Sequence, residues 1–170
     1  PDFTPALFED LQKRRAYDLK NALPGLFGKD NAERNNRVLC DYRETISELL
    51  LEKFTMRWKE WAHGHDALVR NQAHGSPSNI LDLYAVVDIP EIEGTEPLRF
   101  KMASSSGNVT GKKLISAEAG TWLNEHFESG LDDIRQALDN FMLHGVNHLV
   151  YHGTCYSPPG EPWPGRLFYA

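Results

Sequence analysis

From residue 67 onward, short apolar runs alternate with stretches of helical spacing, and this alternation constrains the fold more than any other feature. The runs are "ALVRNQAHG", "LYAVVDIPEIEG", "KKLISAEA" and "VNHLVYHGT". Each is bounded by Gly, Pro or Ser and reads as a strand. Between them lie three helical stretches. "SPSNILDL" has Ser76 as N-cap and Pro77 at its first helical position. "PLRFKMASSSGNVTG" is weakened by its small residues. "TWLNEHFESGLDDIRQALDNFMLHG" places Leu123, Phe127, Leu131, Ile134, Leu138 and Phe141 on one face, with Gly145 as its stop. Strands that alternate with helices form a parallel sheet covered by those helices, so the fold class is α/β.

The segments before residue 67 are helical. "TPALFEDLQKRRAYDLKNALPGLFG" opens with Thr4 as N-cap and Pro5 behind it, and Pro24 with Gly25 closes it. A long helix starts near Arg34 or Asp41 and runs to Ala62, with Gly64 as its stop. Its stripe includes Tyr42, Ile46, Phe54, Trp58 and Trp61, so the tryptophans read as core.

Only about four strands are visible, and no Gly-rich phosphate loop follows any of them. A doubly wound sheet fits this poorly. The economical reading of residues 1–170 is a single fragment, the C-terminal half of a (β/α)8 barrel belonging to a larger protein.

Parallel strands deliver their C-terminal ends to one face, where ligands bind. There the first strand brings Asn71, Gln72 and His74, and the second brings Asp88, Glu91 and Glu93. The third brings Ser116 and Glu118, the fourth His148 and His152, with Tyr156 and Trp163 behind them. Paired carboxylates on strand ends are the equipment of glycoside hydrolysis: one protonates the leaving oxygen, and the other activates water or attacks the sugar. Aromatic rings stack on sugar faces. Each residue also has a plainer role. Glu118 caps a helix N-terminus in the alternative reading. Glu91 and Glu93 serve equally as solvated loop charges. His148 and His152 share a strand face at metal-ligand spacing, or act as one structural and one substrate-binding histidine.

The formal net charge of −6 argues against a nucleic-acid partner. No apolar run reaches the length of a membrane helix. "PDFTPALFED" lacks the pattern of a signal peptide. Cys40 and Cys155, far apart and outside any CxxC pair, read as buried free thiols.

Three long blocks, "QAHGSPSNILDLYAVVDIPEIEG", "KKLISAEAGTWLNEHF" and "GVNHLVYHGTCYSPPGEPWPGRLFYA", resemble the α-L-rhamnosidases of glycoside hydrolase family 106. "PALFEDLQKRRAYDL" and "RVLCDYRETISELL" fit the same pattern, so the resemblance covers essentially the whole chain. It implies a large, multidomain bacterial enzyme, periplasmic or secreted, whose barrel removes terminal α-L-rhamnosyl residues from plant glycans or glycosides. It implies inversion of configuration, a calcium ion near the sugar hydroxyls, and a general acid upstream of Pro1. By the same resemblance Glu93 is the general base, with Glu91 as its rival. Glu118 is a further catalytic-site carboxylate that binds calcium or substrate. By the resemblance His74 and His152 are substrate-pocket residues, and the strand-end reading adds Asn71, Asp88, Glu91, Tyr156 and Trp163 to the substrate-binding set. Two rivals to an active glycosidase stay open. One is a carbohydrate-binding remnant of the same barrel. The other is a metallohydrolase built on His74, His148, His152 and Glu118.

Overall fold

The computed structural model describes residues 4–121, 128–153, 156–163, 165 and 166. Helices α1 (Leu7–Arg15), α2 (Leu19–Leu26) and α3 (Ala32–Leu49) come first. A π-helical turn, Leu50–Thr55, joins α3 to α4 (Met56–His63). The units that follow are β1 (Arg70–Gln72), α5 (Ile80–Val86), β2 (Ile89–Ile92), α6 (Pro97–Val109), β3 (Ser116–Ala119), α7 (Leu131–Leu143) and β4 (His148–Tyr151).

All strand pairs are parallel, and the spatial order is β1-β2-β3-β4. Each new strand therefore adds beside the last, with a helix in every crossover. A doubly wound sheet would reverse its order at a switch point. This one does not, and its covering helices lie on one side: Leu83 and Tyr84 of α5, Phe100 and Ala103 of α6, and Phe141 of α7 form one buried cluster with Ala73, Ile92, Ala117 and Ala119. That is the wall of a β/α barrel, four strands wide.

The pleat sorts the side chains. Ile92, Ala117 and Ala119 point to the helices and are buried there. Their strand neighbours Glu91, Ser116 and Glu118 point to the other face. Helices α1 to α3 build a separate apolar cluster from Leu7, Leu11, Leu19, Ala22 and Val38. Arg14 and Arg15 tie α1 to α3 through Glu48, at 3.1 and 2.9 Å.

Several elements differ from the sequence expectation, each for a local reason. The first helix is two helices, because Ala16 takes a left-handed conformation (φ 62°) and the Asp18 carboxylate accepts from Lys20 N at 2.9 Å to cap α2. Pro24 sits inside α2 and does not end it. Helix α3 starts at Ala32, near Arg34 and well before Asp41, because Asn31 caps it by accepting from Arg34 N. Asn79, not Ser76, caps α5, since Ser78 and Asn79 dock onto Ser47 of α3 at 2.8 and 2.9 Å and delay the helix start. Leu83 to Val86 finish α5 and do not begin β2; an apolar run of that length fits either period. Trp58 packs against Ala62, Val69 and Val87, but Trp61 is 62% exposed and is not core. Leu131 opens α7 at 85% exposure, off the apolar stripe. Cys40 is exposed, against the expectation of a buried thiol, and Cys155, Leu123 and Phe127 lie outside the described residues.

The weak helix former "SSSG" is explained by packing. Ser104, Ser106 and Gly107 of α6 are buried against their neighbours, and Ser106 Oγ donates to Leu81 O at 2.9 Å. A Cβ at Gly107 would stand 2.0 Å from Ile115 Cδ1. Small residues are needed where α6 approaches the sheet. Gly145, which stops α7 as expected, combines φ +94° with a Cβ position 2.9 Å from Ser104 Cβ. Gly145→Ala is therefore expected to destabilise the chain by ~2 kcal/mol through strain and clash together. Urea unfolding checks it, and a change near zero would mean that the turn is free to relax.

Candidate active site at the strand ends

The inner face of the sheet is polar, and its residues are joined by hydrogen bonds. Pairing places Gln72 of β1 opposite Glu91 of β2, Glu91 opposite Ser116 of β3, and Ser116 opposite His148 of β4. Glu91 is only 5% exposed. A carboxylate in that position needs partners. Ser116 Oγ donates to Glu91 Oε2 at 2.6 Å, Arg70 Nε lies 3.0 Å from the same oxygen, and Gln72 Nε2 donates to Oε1 at 3.2 Å. Tyr84 Oη donates to the Glu91 carbonyl at 3.1 Å and pins the backbone of β2 as well.

Two positions nearer the strand ends stands Glu118. Gln72 Nε2 donates to its Oε2 at 2.8 Å, while His152 Nδ1 lies 2.8 Å from its Oε1. Thr121 Oγ1 donates to Oε1 at 3.3 Å and stands 2.9 Å from His152 Nδ1. The His152 hydrogen bond, opposed by burial and reinforced by Gln72 and Thr121, holds Glu118 below the usual carboxylate range. Glu118 is thus an anion at neutral pH and unsuited to donate a proton to a leaving group. Beside it, Glu93 follows the end of β2, 39% exposed, with His74 Nε2 at 3.4 Å from its Oε1. His74 Nδ1 is buried without a hydrogen-bond partner among the described residues.

The structure therefore gathers Glu93, Glu118, His74 and His152 on one face, as the strand-end argument expects. It separates others from them. Asp88 precedes β2 and lies at the opposite end of that strand from Glu93. There it accepts from Val69 N at 2.9 Å and pairs with His63 at 2.9 Å and Lys59 at 3.3 Å. It anchors α4 to the sheet and is no part of the mouth. Asn71 has the pleat parity of buried Ala73, away from Gln72, so β1 presents Gln72 and His74 but not Asn71. Glu91 is placed below the mouth, where Arg70, Gln72 and Ser116 occupy its oxygens. Tyr156 and Trp163 are 82% and 86% exposed. Sequence reasoning passes over Arg70 and Thr121. Arg70 was readable from parity with Gln72 and His74; Thr121 carries no such signal.

The Asp88 anchor gives a pH-dependent expectation. Burial opposes ionisation of Asp88, but the Val69 amide, His63 and Lys59 together hold its carboxyl below the ordinary Asp value. A depressed carboxyl stabilises the fold above its unfolded pKa and loses that contribution as pH falls through its folded pKa. Asp88→Ala is expected to cost ~1–3 kcal/mol at pH 7. The gap from wild type should shrink in acid. A gap that stays constant into acid in denaturant titrations would show that the carboxylate charge is not what matters.

The model of the glycoside hydrolase family 106 α-L-rhamnosidases matches residues 1–169. The chain belongs to that family. A putative β-glucuronidase of Formosa agariphila is 22% identical over 164 residues, covering 92% of this chain and 14% of that protein. The structure of a rhamnosidase from Novosphingobium sp. PP1Y superposes with a TM-score of 0.69 at 23% identity, covering 98% of this chain and 18% of that one. The second likeness shows a shared fold. The chain spans less than a fifth of the length of either relative. Among the described residues no helix is long and apolar enough to cross a membrane.

Proposed function

We propose that the enzyme carrying this chain hydrolyses terminal α-L-rhamnosyl residues of a plant glycan or glycoside with inversion. Glu93 is its general base and Glu118 its fixed anionic contact to the sugar. The observation that carries the reading is the unequal treatment of two carboxylates on neighbouring strand ends. Among the described residues Glu118 is held by Gln72 on one oxygen and by Thr121 and His152 on the other, which leaves acceptor capacity on Oε2 for a sugar hydroxyl. Among the described residues Glu93 has the long His74 contact alone, and its side chain is 39% exposed. A base that must bind water and take its proton needs the second environment. In the step, Glu93 removes a proton from water as the oxygen attacks the anomeric carbon. The glycosidic C–O bond breaks, and the leaving oxygen takes a proton from an acid that lies outside these residues. In an inverting site acid and base stand roughly 6.5–9.5 Å apart to admit the water. His74 and His152 bind sugar hydroxyls.

The calcium implied by the family resemblance receives no step. Among the described residues no group of three or more His, Cys, Asp or Glu is gathered to hold a metal. Calcium takes six to eight oxygen ligands. These residues do not fit that demand by themselves. The lack of such a group among the described residues also weakens a metallohydrolase built on His74, His148, His152 and Glu118.

The test compares an aryl α-L-rhamnoside with an aryl β-glucuronide, using the 170-residue chain and a form spanning the length of its relatives. Rhamnoside turnover in the long form alone is the expected result. Glucuronide turnover without rhamnoside turnover would reassign the sugar. Rhamnose binding without turnover of either would make the barrel a binding module.

A further inference from the structure

We propose that Gln72 is a positioning residue, whose amide transmits a buried anchor in the sheet to the sugar-binding carboxylate Glu118. The inference rests on the role given to Glu118 above and adds a residue to it. One nitrogen, Gln72 Nε2, donates to two carboxylates on different strands, to Glu91 at 3.2 Å and to Glu118 at 2.8 Å. A primary amide has two N–H bonds, so both contacts are made at once and the amide plane is fixed by them. Glu91 is itself held by Ser116 at 2.6 Å and Arg70 at 3.0 Å, and is 5% exposed. One end of the relay is therefore immobile. At the other end, Gln72 holds Oε2 of Glu118 while His152 and Thr121 hold Oε1. With both oxygens gripped from opposite sides, the carboxylate cannot rotate about its terminal bond. An anion that must meet a sugar hydroxyl in one geometry gains from that restraint. Gln72 also places N–H dipoles between two negative groups that would otherwise face each other across adjacent strands.

The test is a double-mutant cycle read by calorimetric binding of L-rhamnose, in a form of the enzyme spanning the length of its relatives. Gln72→Met keeps the bulk and removes the donors. It is expected to weaken rhamnose about tenfold, the size of a lost hydrogen bond to a charged group. The same change made in a Glu118→Gln background should have almost no further effect, because the group through which Gln72 acts is already altered. Loss of rhamnose affinity on Gln72→Met that persists in the Glu118→Gln background would overturn the proposal and make Gln72 a packing residue. Weakening by Glu118→Gln but not by Gln72→Met would also overturn it and leave the functional reading intact. No effect of either change would sink both. Should Gln72→Met not fold, Ser116→Ala tests the relay one link back. A smaller weakening that vanishes in the Glu118→Gln background supports it, and unchanged affinity overturns it.

Discussion

Glu93→Gln is expected to lower kcat on an aryl α-L-rhamnoside by ~10³-fold, within the range that general acid–base catalysis contributes. KM should move little, since the sugar contacts given to Glu118, His74 and His152 remain. The experiment belongs in a form of the enzyme long enough to include the general acid. An activated aryl leaving group reduces the demand for that acid, so the loss reports on the base. Azide supplies the second half of the test. It is a nucleophile that needs no deprotonation, and it fits the space left for water in an inverting site. Adding azide to Glu93→Gln should restore turnover and yield the rhamnosyl azide of inverted configuration. Glu118→Gln should behave differently. Its partners His152, Thr121 and Gln72 are arranged for an anion, so the neutral amide disturbs binding as well as turnover, and azide should not help. Rescue of Glu118→Gln and not of Glu93→Gln would exchange the two roles. Wild-type rates in Glu93→Gln would end the assignment of Glu93.

The fold was legible because it depends on a coarse signal. Alternating strand and helix patterns imply parallel pairing, and parallel pairing puts strand ends together whatever the strand boundaries are. That logic brought Glu93, Glu118, His74 and His152 to one face from four separate stretches of sequence. It failed wherever one residue of register decides the outcome. Asn71 and Gln72 are neighbours in sequence but belong to opposite faces of β1. Asp88 and Glu93 flank the same short strand, and its direction alone separates a structural anchor from a mouth residue. Glu91 reads as a loop charge between Pro90 and Gly94, yet it is paired in the ladder with Gln72 and Ser116. Its burial follows from neighbours that are distant in sequence, which no local pattern records. Trp61 shows the reverse case, an apolar residue at helical spacing that stays 62% exposed, with the His65 ring 4.6 Å from its own.

The buried Glu91 carries a second large expected effect, this one on stability. Its charge is tolerated because Arg70 stands 3.0 Å away. Removing one partner of a buried pair leaves an uncompensated charge, which typically costs ~3–5 kcal/mol. The Arg70 side chain is 40% exposed, so solvent screens part of the interaction; Arg70→Met is accordingly expected to cost ~2 kcal/mol. Glu91→Leu removes the charge but strands the Ser116 hydroxyl, which is fully buried, and the Gln72 amide. The informative variant is the double one. With both charges gone no ion remains to be desolvated, so Arg70→Met with Glu91→Leu should lie closer to wild type than the sum of the single changes. Urea unfolding at neutral pH measures all four corners of the cycle. Single changes that add to within about 0.5 kcal/mol would show that Arg70 and Glu91 are energetically independent. Glu91 would then depend on Ser116 and Gln72 alone. Non-additivity would instead identify the pair as the base on which the polar inner face of the sheet is built, and Gln72 and Glu118 as its upper layers.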